Sequence, residues 1–318
     1  MCRIALSMGD PAGVGPELLA RAVADKSFAE KCEFVLYGER SVLEEAFRRY
    51  APQVKINEVN IVESSNLIEF GKMQTGEADG KCGKAAFEAI RMAAQSVING
   101  ENDAIVTAPV NKYSVNLSGV EFSGHTEMIA EMCRCNEFAM MQSSGKLHVV
   151  FVTTHIPIAE VPANITVERI ISVADMLLEA LYSEGVEKPR LAVMALNPHA
   201  GENGCMGRED EEVTKVAIAE LQKRNIDVTG PVVPDVMFAN KRHEQFDGIL
   251  SMYHDQGHIP FKMLAFDSGV NSTVGLPIIR CSPDHGSAFD IAWGRGECRT
   301  DSFFAAIELA VKRVMRKK

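Results

Sequence analysis

The sequence predicts an α/β protein whose largely parallel sheet is covered by helices on both faces. Three observations support this. Short apolar runs rich in β-branched residues alternate with amphipathic helical stretches along the chain, and parallel strand neighbours need crossover helices between them. Several of the runs end abruptly in clusters of Gly, Asn, Asp and His, as strands do where an α/β sheet empties into its loops. At 318 residues and 46% hydrophobic content, the chain can bury one large core or two ordinary ones.

Residues 3–8 read as the first strand, and a helix follows over 17–24. The loop between them, Gly9-Asp10-Pro11-Ala12-Gly13-Val14-Gly15-Pro16, either brings backbone amides to a ligand or makes a tight structural turn. It has neither a Gly-Lys-Ser/Thr ending nor a Gly-x-Gly-x-x-Gly spacing, so it is neither a Walker loop nor a Rossmann fingerprint. Residues 33–37 form a second strand, 42–50 a helix, 85–98 a long amphipathic helix and 104–107 a strand. Lys112, in the polar loop that follows, reads as a solvated cap before an anion contact. His125 and Thr126 open another helix, where a hydroxyl can cap the backbone and free amides can take an anion. Helices at 167–183 and 209–224 separate three further strands, 149–154, 191–196 and 248–252. Strands at 270–273 and 277–281 and an amphipathic helix at 302–315 complete the chain, whose basic end suits a helix C-terminus.

The richest chemistry lies in Tyr253-His254-Asp255-Gln256-Gly257-His258-Ile259-Pro260-Phe261-Lys262, a polar stretch expected as a loop after the 248–252 strand. It holds two imidazoles, a carboxylate and an ammonium within ten residues. A solvated turn whose histidines cap backbone groups would explain each one singly. Two other strands, however, deliver a histidine in the same way: 149–154 leads to His155, and 191–196 leads to His199 through Asn197-Pro198. Three imidazoles on rigid strand ends make a facial metal site with open positions for water or substrate. Their separations of 44 and 55 residues exclude a local zinc finger and require the fold to gather them.

Composition narrows the classes. A net charge of −10 argues against nonspecific nucleic-acid or anionic-membrane binding, so an anionic ligand needs a local basic pocket. Eight scattered cysteines without a Cys-x-x-Cys pair, a start with no signal peptide and the lack of a bilayer-length apolar run imply a cytoplasmic protein. Cys133 and Cys135, one residue apart, have the wrong spacing for a zinc knuckle.

Read together, several segments resemble one family. They are Gly9–Glu17, Gly124-His125-Thr126, Thr154-His155-Ile156-Pro157, Asn197–Glu202 (NPHAGE), Tyr253–Gly257 (YHDQG), Gly275–Arg280 and Asp284-His285-Gly286. In this order they resemble the 4-hydroxythreonine-4-phosphate dehydrogenases of vitamin B6 biosynthesis and their relatives acting on D-threonate or D-erythronate 4-phosphate. The resemblance covers essentially the whole chain. It implies a fold like that of isocitrate and isopropylmalate dehydrogenases, with two α/β/α domains and a cleft between them. The first domain would comprise 1–120 and 268–318, and the second, 121–267, would carry most metal ligands and a homodimer interface.

The resemblance also implies the chemistry: NAD-linked oxidation at C3 of a 4-phosphorylated hydroxy acid, followed by loss of CO2. A divalent metal (Zn, Mg, Mn or Co) would lower the pKa of the C3 hydroxyl and then stabilise the enolate. His155, His199 and His254 match its ligands, with one site drawing on both subunits. His125, Thr126, Lys262, Asn271 and Arg280 match substrate contacts. Asp235 and Asp255 are candidates for proton handling or for holding the ligands. Asp284 and His285 are the candidates offered for NAD. Ser272 after Asn271, and Cys281 and Pro283 around Ser282, depart from the family pattern without touching a proposed ligand. Segments such as Gly257-His258-Ile259-Pro260, 227–231 and 289–293 lean toward the D-threonate/D-erythronate branch, with dihydroxyacetone phosphate as product. From the residues alone, a metal-dependent hydrolase or aldolase, or a non-catalytic metabolite binder, fits as well.

Overall fold

The computed structural model describes residues 1–317, which form two compact units, 1–136 with 276–317 and Glu137–Gly275. The boundaries differ from the expected 120/121 and 267/268, and packing explains the shift. The helix His125–Met132 packs on the helix Gly80–Ile98 and so belongs with the first unit. Residues 270–274 pair with 139–143 and so belong with the second.

In the first unit the strands are β1 (Cys2–Ser7), β2 (Cys32–Gly38), β3 (Asn60–Glu63), β4 (Ala104–Thr107) and β11 (Ile279–Pro283), in the order β3-β2-β1-β4-β11. Every pairing is parallel. β1 is buried at every position except Arg3, as expected of a strand covered on both faces. The helix Gly80–Ile98 begins because the Asp79 side chain accepts from the amides of Lys81 and Cys82. Its buried Ala86, Ala89, Ile90, Ala93 and Val97 recur at helical spacing, and the last four pack with Ala5, Val35 and Ile105 of the sheet. The glycine-rich loop after β1 is wholly buried, and a Cβ on Gly13 would stand 2.6 Å from the Ser287 carbonyl. Trp293 Nε1 donates to the Pro11 carbonyl at 2.9 Å. Of its two expected roles, the loop therefore takes that of a structural turn, closed over by the chain.

The second unit contains β5 (Ala139–Ser144), β6 (Leu147–Phe151), β7 (Arg190–Met194), β8 (Asp227–Val232), β9 (Gly248–Ser251) and β10 (Val270–Val274), in the order β10-β5-β6-β9-β7-β8. β5 pairs antiparallel with β10 and β6, whereas β6, β9, β7 and β8 run parallel. The hairpin β5–β6 turns at Gly145, whose φ of 58° favours glycine. The helix Val167–Ser183 lays Ile170, Val173, Ala174, Leu177 and Leu181 against Val150, Leu191, Val193 and Leu250. On the opposite face Phe261 packs with Val149, Phe151, Ala192, Met194 and Ile249. Both faces of this sheet are thus covered, which makes it an α/β/α unit. Among the described residues, no helix is long and apolar enough to cross a membrane.

Candidate functional site

Parallel strands share a direction, so their C-terminal ends lie along one edge of the sheet. In the second unit the neighbours β6, β9 and β7 release His155, His254 and His199 respectively at that edge. The sequence expectation of a loop at 253–262 is corrected here: His254 is the first residue of a helix, His254–Ala265. Gly257 lets this helix lie close on the sheet, since a Cβ there would stand 2.8 Å from Val149 Cγ1 and Ser251 Cβ. Residues 254, 258 and 262 then recur one turn apart on one face. The His254 and His258 rings stack at 4.5 Å and 12°, and both lie against Phe151. The half-buried Lys262 shares that stripe, with its ammonium 5.9 Å from the Phe266 ring centroid.

Two of the three expected ligand histidines are near one another. The His155 and His254 rings are 5.6 Å apart. His254 Nδ1 lies 2.6 Å from Asp255 Oδ1, a contact through which the carboxylate can accept an Nδ1–H and turn Nε2 outward as the ligand atom. Asp255 is the group that orients this ring. His199 stands apart on the exposed turn 198–204, where residues 199–203 all have positive φ, and its Nδ1 lies 3.7 Å from Glu202 Oε2. The base of that turn is held by the buried Asp210, which accepts from the amides of Leu196 at 2.8 Å and Asn197 at 2.9 Å. Asp210 opens a π-helical turn, Asp210–Thr214, at the start of the expected 209–224 helix. Asp235 is exposed in the first turn after β8, on the same edge. Asn271 lies on β10, half-buried opposite Gln142 of β5. Among the described residues of one chain, no three His, Cys, Asp or Glu side chains gather closely enough to hold a metal ion. The donors that do meet, two imidazoles with a carboxylate behind one, suit a borderline divalent ion such as zinc or cobalt.

In the first unit, Arg280, His125 and Thr126 come together beside the end of β4. Arg280 is buried, and its guanidinium donates to Thr107 Oγ1 at 3.1 Å and to Thr126 Oγ1 at 3.5 Å. Burial pulls its pKa down to about 10, which leaves it charged at neutral pH. Thr126 is therefore not the N-cap that the sequence suggests: Gly124 holds that position, and the threonine hydroxyl serves the arginine. A Cβ on Gly124 would lie 3.5 Å from Lys112 Nζ, so this exposed lysine reaches the start of the helix instead of standing off in solvent. Burial, then Arg280, then Lys112 hold the His125 pKa well below the usual range, so its ring is neutral. The Glu127 carboxylate shares this helix start, its Oε2 2.7 Å from where a Gly124 Cβ would stand, so Arg280 and Lys112 face it as well as any oxyanion that enters, and a neutral imidazole can donate or accept. Asp284 and His285 follow β11: the Asp284 amide donates to Ser302 Oγ at 3.0 Å, and His285 Nδ1 lies 3.0 Å from the Gly286 carbonyl.

A family model described as "Pyridoxal phosphate biosynthetic protein PdxA" matches residues 30–310. The chain is 41% identical to a 4-hydroxythreonine-4-phosphate dehydrogenase of Aquifex aeolicus, over 96% of this chain and 97% of that one. It is 35% identical to a D-threonate 4-phosphate dehydrogenase of Salmonella typhimurium, over 97% of this chain and 98% of the relative. The crystal structure of a 4-hydroxythreonine-4-phosphate dehydrogenase from Klebsiella pneumoniae superposes with a TM-score of 0.85 at 35% identity, covering 99% of this chain and 100% of that one. An isocitrate dehydrogenase from Methylococcus capsulatus, at a TM-score of 0.52, 13% identity and coverage of 99% and 88%, shares the fold alone.

Proposed function

The chain belongs to the PdxA family, whose named relatives are dehydrogenases, and from that premise we propose that it oxidatively decarboxylates a 4-phosphorylated 3-hydroxy acid, with NAD as acceptor and a divalent metal as cofactor. The observation that carries this reading is the release of His155, His254 and His199 from three adjacent parallel strands, with Asp255 Oδ1 2.6 Å from His254 Nδ1. These three residues would hold the metal, which when bound supplies a Lewis acid at the reacting oxygen. The remaining steps belong to the chain. Arg280 and Lys112, with the first-turn amides of the 125–132 helix, offer charge to an oxyanion, and Thr126 keeps the guanidinium fork aimed. Lys262 offers a point charge, and Asn271 an orienting amide.

The exposure of His199, apart from His155 and His254, suits a site completed across a homodimer, and we propose that arrangement. In the balanced reaction, C3–H leaves as hydride to NAD and the hydroxyl proton is released. The C1–C2 bond then breaks to give CO2, and C2 takes up a proton.

For the substrate we propose D-threonate or D-erythronate 4-phosphate, giving dihydroxyacetone phosphate. His258, stacked beside His254, can donate to or accept from a C2 hydroxyl, and this supports the choice over a C2 ammonium. The 41% identity to a relative named for 4-hydroxythreonine 4-phosphate favours the second reading, the C2-amino substrate. NADH formation measured side by side on the three compounds, with metal removed and restored, decides between them. A tenfold preference for the amino acid, about 1.4 kcal/mol, would overturn the hydroxy-acid choice. No metal-dependent NADH from any of the three would overturn the function.

A further inference from the structure

The strand exits that carry the three histidines are joined by one chain of hydrogen bonds. Thr153, two residues before His155, donates its amide at 3.1 Å and its hydroxyl at 2.7 Å to the Met252 carbonyl. Met252, two residues before His254, donates its own amide to Gln256 Oε1 at 2.7 Å. Gln256 Nε2 donates to the carbonyl of Ala195 at 2.7 Å, four residues before His199. The amide orientation is dictated by its partners, because Met252 N–H needs an acceptor and Ala195 C=O needs a donor.

These bonds begin where the sheet's own ladder stops. The β7–β9 register ends at Val193 opposite Leu250, and the β6–β9 register ends at Phe151 opposite Ser251. Beyond that point the twist of the sheet would let neighbouring exits diverge. A carboxamide spanning Met252 and Ala195 continues the cross-link by one more rung, two residues into the helix that His254 begins.

We propose that Gln256 is a positioning residue for the metal ligands, bracing the His254 helix start against the base of the His199 turn within each chain, the frame from which each subunit presents its histidines to a shared site. The proposal rests on the ligand set proposed above, and its test separates the two. Full-length protein stripped with a chelator is titrated with cobalt(II), reading both affinity and the visible ligand-field spectrum. The variants are Gln256→Glu, which keeps the acceptor but turns an oxygen on Ala195 C=O, and Gln256→Met, which keeps the volume and loses the bonds to Met252 and Ala195 together with the one that Ser251 Oγ donates at 3.1 Å. Thermal melts accompany each, with His254→Ala as reference. Expected are a roughly ten- to hundred-fold loss of cobalt affinity and a changed spectrum in both Gln256 variants, as for groups that orient metal ligands. Parent-like affinity and spectrum in the Gln256 variants, alongside loss of binding in His254→Ala, would overturn this proposal alone. Parent-like binding in His254→Ala would overturn the ligand set and the proposal with it.

Discussion

Asp10 is an ionisable group placed where its charge is costly. It is fully buried in the glycine-rich turn, with Oδ1 accepting from the Ala12 amide at 3.0 Å and Oδ2 lacking a partner within hydrogen-bond distance among the described residues. Burial pushes its pKa from an ordinary 3.8 to about 6, outweighing the help of the Ala12 amide and the Ser114 side chain, and the Asp79 charge adds to the rise. A raised folded-state value means that the native state binds the proton more tightly than the unfolded chain. The benefit is complete below the unfolded pKa near 3.8 and is lost as pH rises through about 6. A shift of about two units corresponds to about 3 kcal/mol, which is the ceiling on the cost at pH 7. Asp10→Asn keeps the acceptor for Ala12 and cannot ionise. It should raise the melting temperature at pH 7.5 by roughly 5–10 °C at most, with the advantage shrinking toward pH 4. Urea and thermal melts of both proteins across this range measure it. A variant no more stable than the parent at pH 7.5, or an advantage that does not change with pH, would refute the reasoning.

Other expectations follow from the same structure. Arg280→Lys should raise KM by about tenfold or more with little change in melting, because one ammonium cannot serve both threonine hydroxyls and a bound oxyanion; unchanged kcat/KM would make Arg280 purely structural. The His125 ring should titrate below the range of a surface histidine by nuclear magnetic resonance, and Lys112→Gln should move its pKa upward; an unmoved value would place Lys112 too far away to matter. His199→Ala should abolish metal-dependent turnover yet leave the melt within about 0.5 kcal/mol, since the ring is exposed; full activity and metal content would remove it from the site. Gly257→Ala should cost roughly 1–3 kcal/mol in urea unfolding, because its methyl would meet Val149 and Ser251 at 2.8 Å, and a parent-like melt would mean the helix can slide without penalty.

Much of the fold was legible because parallel strands buried on both faces read as continuous apolar runs. β1, β2, β4, β7 and β9 each appear within two residues of their expected ends. β5 was passed over. Its Met140, Met141 and Gln142 carry no β-branched signal, and the turn residues Gly145 and Lys146 mark a hairpin only once a strand is recognised on each side. β3 and β8 are short or interrupted, β8 by Gly230 and Pro231. The unit boundaries were displaced for a related reason: antiparallel β10–β5 pairing keeps 270–274 with the second unit, and register is a tertiary property.

The stretch 253–262 shows how local signals can mislead about the residues that matter most. Gly257 and Pro260 are the two poorest helix formers, and histidine is a weak one, so propensity argues for a loop. The helix forms because packing outweighs those terms. Gly257 is the residue whose missing side chain lets the helix approach β6 and β9, and Phe261, four residues on, is fully buried among Phe151, Met194 and Ile249. Pro260 removes a single amide that would have bonded to the Gln256 carbonyl, while the Gln256 side chain is engaged at the strand ends. A loop would have left His254, His258 and Lys262 as three unrelated polar residues. The helix sets them one turn apart on one face, and that periodicity turns a motif of mixed chemistry into a single stripe.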